Sequence, residues 1–215
     1  MDISFWEITA VGVITLLAVI SPGPDFAMIT RLTLGGGRRA GLFGALGIAC
    51  GIAVHLSYTL IGLGVLLAEQ QWLLTTLRYL GASYLIWLGL AAFWPDIRAW
   101  VRGQPRPAEQ SIEVGSLTMR PVKAFWLGFG TNALNPKTML FIVSVFSQVI
   151  SPQTPLSIEL AYGLYIAICH LLWFALVATV LSWAPLRHKM TRIKAQIEKG
   201  VGLCLTAFGI KLLAG

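Results

Sequence analysis

The sequence predicts an all-α integral membrane protein with six transmembrane helices. They form a 3+3 inverted-topology repeat in which helices 1 and 4 are broken. Three observations carry this reading. The 215 residues are 56% hydrophobic and only 12% charged, with a mean hydropathy of +0.75, about half the charge of an ordinary soluble domain. The apolar residues gather into runs that can cross about 30 Å of hydrocarbon. Thirteen of the sixteen Lys and Arg fall between those runs on a single side.

The spans run over about 5–30, 41–68, 73–94, 124–149, 157–183 and 200–214; the last is short and carries Lys211 near its end. The first is read as a retained span and not a signal peptide. Its start holds Asp2 and Glu7 where basic residues would be expected, and Ser-Pro-Gly-Pro-Asp follows it where a cleavage pattern would stand. The basic loops hold Arg31, Arg38 and Arg39, then Arg98, Arg102, Arg106, Arg120 and Lys123, then Arg187, Lys189, Arg192, Lys194 and Lys199. The intervening loops hold none. The basic side is cytoplasmic by the positive-inside rule, which puts both termini in the periplasm of a bacterial inner membrane. Topology thus accounts for the net charge of +7, and no nucleic-acid partner is expected. Trp6, Trp72, Trp94, Trp126 and Trp183 near span ends fit interface anchors. Cys50, Cys169 and Cys204 lie in apolar runs without metal-ligand spacing and read as small hydrophobes, so neither metal nor cofactor is expected.

Residues 1–215 read as a single membrane domain: a first repeat over about 1–94, a cytoplasmic linker over 95–123 marked by Pro105 and Pro107, and a second repeat over about 124–215. The halves match weakly. Each has a proline break in its first span and a histidine in its second, with Pro22 to His55 covering 33 positions and Pro136 to His170 covering 34. Three spans per half force the second to insert upside down.

The breaks carry the chemistry. Ser21-Pro22-Gly23-Pro24-Asp25 removes two amide donors around a permissive glycine, which predicts two half-helices with an unwound elbow. The amides of the second half-helix then suit a carboxylate. Asp25 is an acid in a deep apolar setting, able to carry a proton, bind an ammonium or cap the half-helix. Asn135-Pro136-Lys137-Thr138, led in by Gly128, Gly130, Thr131 and Asn132, forms the second elbow. Lys137 sits near mid-span and needs a counter-charge or water; Asp25 is one partner and a substrate carboxylate another. Thr131, Asn132 and Asn135 suit a small polar zwitterion. Paired breaks of this kind point to a transporter's binding site. Gly47, Gly51 and His55 form one helical stripe, read first as helix packing and permitting a homodimer. His55 and His170 are both candidates for cross-helix hydrogen bonds or a proton relay.

The residues 21–26, Ser-Pro-Gly-Pro-Asp-Phe, the glycine-rich stretch 41–51, Asn135-Pro136-Lys137 with Ser144-Val145-Phe146-Ser147, and Ala207-Phe208-Gly209-Ile210 together resemble the LysE/RhtB family of bacterial amino-acid exporters over nearly the whole chain. The acid after Pro-Gly-Pro looks most like the threonine and homoserine or homoserine-lactone branch. The resemblance implies export of a small amino acid driven by protons. The family's proline motifs map onto Pro22, Gly23, Pro24 and Pro136, flanked by Asp25, Asn135 and Lys137. An intramembrane enzyme is disfavoured by the lack of hydrolase motifs. A channel would show flux that ignores the proton gradient.

Overall fold

The computed structural model describes residues 5–69, 71–91, 93–103, 119–149 and 154–183, together with 196, 199–200, 202–207, 209–211 and 213. Among these every regular element is a helix: α1 (Phe5–Ile20), α2 (Pro24–Glu69), α3 (Gln71–Ala91), α4 (Trp94–Val101), α5 (Pro121–Ala133), α6 (Pro136–Val149) and α7 (Leu156–Ser182). Helical residues recur at 199–200, 202–207 and 209–211. The ends of the chain, Arg106 and the basic run from Arg187 to Lys194 lie outside the described residues.

The apolar run over 5–30 is not one helix. It is cut at Ser21–Gly23, and α2 begins at Pro24. Proline pushes the residue before it out of helical geometry, so Ser21 ends α1, while Pro24 fits a first turn where its missing amide costs nothing. The run over 124–149 is cut in the same way at Leu134 and Asn135. Among the described residues two helices are long and apolar enough to cross a membrane, Pro24–Gly62 and Leu156–Ser182; Val11–Ile20 and Pro136–Val149, bounded by the cuts, are shorter apolar pieces.

Two further boundaries differ from the sequence reading. The basic loop expected at about 31–40 shrinks to one residue. Helical geometry in α2 is interrupted at Gly37 alone, with φ 76° and ψ 177°, a left-handed backbone that glycine reaches without steric cost. Arg31, Arg38 and Arg39 flank this corner and are exposed. The expected linker contains α4, an eight-residue helix with Pro95 in its first turn; Asp96 pairs with Lys199 at 2.9 Å, tying it to the C-terminal helical residues.

The second limb of α2 lies directly on α5. A Cβ on Gly47 would strike the Phe125 carbonyl, and one on Gly128 would strike the Gly44 carbonyl. Backbone meets backbone there, which only glycine permits at that distance. Gly51 faces the Asn132 side chain in the same row. The glycine stripe is therefore filled within the chain, and it offers no face for a second copy.

Two apolar clusters hold the rest. One joins Val11 and Ile14 of α1, Ile52 of α2, Leu85 of α3, Phe141 and Phe146 of α6 and Ile166 of α7. The other joins Ile29, Ala45 and Ile48 of α2 to Phe174, Val177 and Leu181 of α7. The outer faces are apolar too. On α7, Leu160, Leu164, Ile168, Leu172 and Leu176 recur every four residues, all exposed, opposite buried His170, Phe174 and Val177. A helix apolar all round belongs in lipid or a core. Cys50 and Cys204 also face outward.

Candidate functional site

The two breaks are built alike. Gly23 precedes Pro24 and its carbonyl accepts the Ala27 amide at 3.0 Å; Asn135 precedes Pro136 and its carbonyl accepts the Met139 amide at 3.0 Å. Gly23 and Asn135 are therefore the caps, and Pro24 and Pro136 the first helical residues. The Asn135 side-chain Oδ1 also accepts the Lys137 amide at 3.0 Å, the standard bond of a capping asparagine. Asp25 is not the cap, although capping was one of the roles open to it. It is the second residue of α2, and Lys137 is the second residue of α6. By local geometry Pro136 thus corresponds to Pro24, whereas the match of 33 and 34 positions counted from Pro22.

The breaks meet in space. Asn132 Nδ2, at the end of α5, donates to Asp25 Oδ2 at 2.8 Å. The Thr138 hydroxyl donates to the same oxygen at 3.4 Å. Asn135 flanks the carboxylate, and Asp25 Oδ1 is buried without a hydrogen bond among the described residues. Asp25 is 5% exposed and Asn132 fully buried. Lys137 Nζ donates to the Ser21 carbonyl and, at 3.4 Å, to the Pro22 carbonyl. Those carbonyls follow directly on the last residue of α1, Ile20, so the ammonium sits beside the negative end of a helix. Its charge also acts on Asp25. Tyr84 of α3 donates to the Lys137 carbonyl at 3.2 Å.

The two histidines part company. His55 uses both ring nitrogens. Nε2 bonds the Asn132 carbonyl at 2.8 Å, and Nδ1 bonds the Tyr58 hydroxyl at 2.5 Å. A carbonyl only accepts, so Nε2 carries a hydrogen, and His55 caps the C-terminal end of α5 as Lys137 caps that of α1. Among the described residues His170 uses one nitrogen, Nδ1 bonding the Ile166 carbonyl on its own helix at 2.8 Å.

A small cavity of about 20 Å³ lies between the two apolar clusters, lined by Ser21, Gly23, Asp25, Asn135, Lys137, Thr138 and His170 on its polar side. Ala18, Val19, Phe26, Phe141 and Phe174 form the apolar side. That is room for about one water. Of the residues singled out from sequence, Gly23, Asp25, Asn135, Lys137 and His170 line it. Asn132 reaches it through Asp25, and His55 lies behind Asn132. Pro22, Pro24 and Pro136 shape the backbone around it, with Pro24 and Pro136 exposed. Sequence reasoning missed Tyr58 and the aromatic wall of Phe141 and Phe174. Tyr58 was findable three positions after His55, on the same helix face; the wall comes from helix packing alone. Among the described residues no group of three or more His, Cys, Asp and Glu could hold a metal ion.

Apolar helices of membrane length, interrupted by paired polar breaks that meet around one cavity, define a membrane transporter in class. Residues 16–215 match the family model described as LysE type translocator, and the chain belongs to that family. It is 27% identical over 203 residues to the threonine efflux protein of Escherichia coli (strain K12), covering 94% of this chain and 95% of that protein. It is 30% identical over 200 residues to the uncharacterized membrane protein YrhP of Bacillus subtilis (strain 168), covering 92% and 94%. It is 27% identical over 221 residues to the uncharacterized membrane protein PA4757 of Pseudomonas aeruginosa, covering 97% and 94%. No solved structure matches the chain.

Proposed function

We propose that this translocator exports a small amino acid of the threonine or homoserine type from the cytoplasm in exchange for protons. It does so as a six-span, 3+3 inverted repeat in the bacterial inner membrane with both termini periplasmic. The observation that carries the reading is the meeting of the two breaks: Asp25 of one and Lys137 of the other line a single cavity. The N-terminal ends of α2 and α6 attract the substrate carboxylate. Asp25 takes the ammonium or the coupling proton, and Oδ1, which makes no hydrogen bond among the described residues, is the oxygen available for either. The name of the Escherichia coli relative supports threonine as the first substrate to try.

A cavity of about 20 Å³ does not hold an amino acid, so loading needs the wall to part. Rocking of one repeat against the other supplies that motion. Purified protein in proteoliposomes, loaded with one amino acid and offered a labelled panel outside, tests the proposal. Saturable counterflow of threonine and homoserine that responds to a pH gradient is expected; no exchange of any amino acid overturns it.

A further inference from the structure

We infer that His170 is the residue that selects a hydroxyl on the substrate side chain; this rests on the amino-acid transport proposed above. The ring is 4% exposed and forms part of the cavity wall. Nδ1 is committed to the Ile166 carbonyl at 2.8 Å, which leaves Nε2 as the polar atom of the ring for a ligand. Among the described residues nothing bonds it. His55 presents the opposite case. Both of its nitrogens are taken, by Tyr58 and by the Asn132 carbonyl, so it holds the backbone and has nothing to offer a substrate.

The other polar groups in the wall suit the two ends of a zwitterion, with Asp25 for the ammonium and Lys137 with the helix amides for the carboxylate. Ser21, Gly23, Asn135 and Thr138 complete the polar side, Asn135 accepting the Lys137 amide and Thr138 donating to Asp25, and Ala18, Val19, Phe26, Phe141 and Phe174 form the apolar side. Beside the apolar side His170 is a buried hydrogen-bonding group, 4% exposed, with Nε2 unbonded among the described residues. A hydroxyl both donates and accepts, so it pairs with Nε2 whichever way the ring is protonated. An aliphatic side chain of the same shape strands the nitrogen without a partner. Sites built to bond a hydroxyl reject the analogue that lacks it for this reason.

Threonine and valine differ by that exchange of hydroxyl for methyl. In counterflow competition on wild-type protein, threonine and homoserine compete about 10- to 100-fold better than valine. H170L brings the threonine-to-valine ratio close to one, and H170Q, which returns a hydrogen-bonding group to the same place, recovers part of the preference. A merely structural role for His170 lowers threonine and valine exchange together and leaves the ratio unchanged, which overturns the inference. Equal competition by valine and threonine on wild-type protein overturns it as well, without any variant having to fold. Absence of exchange for every amino acid overturns the transport proposal and this inference with it.

Discussion

Asp25 and Lys137 hold the same position on two half-helices: each follows a proline that opens its helix, and both line one cavity. Their charges are opposite, and the helix N-terminus treats them oppositely. A carboxylate there is favoured by the dipole and an ammonium is not, by about 0.3–1 kcal/mol each at exposed sites. Lys137 is relieved by reaching across to the carbonyls that end α1. Each break thus supplies the charge that the other needs.

The Asp25 carboxylate takes its shorter hydrogen bond from α5. Asn132→Ala removes the 2.8 Å hydrogen bond to Oδ2, with an expected loss of about 1.5–3 kcal/mol for a bond to a charged group. In an Asp25→Asn background the same change should cost clearly less. Thermal unfolding of the two single variants and the double variant in detergent measures the coupling; an additive result contradicts the assigned bond.

Lys137→Met leaves the Ser21 and Pro22 carbonyls without their cation. Stability is expected to fall by about 1–2 kcal/mol from loss of the charged cap, and transport to be lost. Asn135→Ala is expected to cost about 1 kcal/mol, whereas Asn135→Ser, which still caps, stays near wild type. Unfolding midpoints separate the cap from any role in binding.

His55→Leu removes one of the donors to the buried Asn132 carbonyl, which keeps the Asn135 amide at 2.8 Å. The expected loss is about 0.5–1.5 kcal/mol, while Tyr58→Phe, which leaves the Asn132 bond in place, costs less. Chemical denaturation of both variants ranks them; a larger effect for Tyr58→Phe contradicts the capping role.

The glycines divide cleanly. Gly47→Ala and Gly128→Ala push a methyl into backbone of the facing helix, and overpacking of this kind costs about 1–3 kcal/mol or prevents folding. Gly62→Ala and Gly130→Ala meet nothing within 4 Å and should be neutral or stabilise by up to about 1 kcal/mol through helix propensity. Yield and melting temperature of the four variants check the division.

Much of this was legible in the sequence because proline acts locally. Pro24 and Pro136 fix where the half-helices start whatever surrounds them, so the breaks appear where the prolines stand. The Gly47–Gly51 row was legible as packing because small residues at helical spacing have few other uses. The division of labour between His55 and His170 was not legible. Both lie in apolar helices at similar distances from a break, and only the packing of α2 on α5 brings a carbonyl to His55. The partner of Lys137 was likewise beyond reach, since the carbonyls of α1 carry no side-chain signature. The length of α2 was misread because a single glycine, Gly37, does the work of the loop that the arginines around it suggested.

The central claim is that the two breaks form one proton-coupled amino-acid site, and a single measurement bears on it most directly. In proteoliposomes with an acidic interior and an alkaline exterior, outward proton flow through an antiporter should drive uptake of labelled threonine. Wild-type protein is predicted to accumulate threonine above the external concentration, collapsing when the pH gradient is dissipated. Asp25→Asn is predicted to show no gradient-driven accumulation. Accumulation by Asp25→Asn equal to that of wild type would contradict the account.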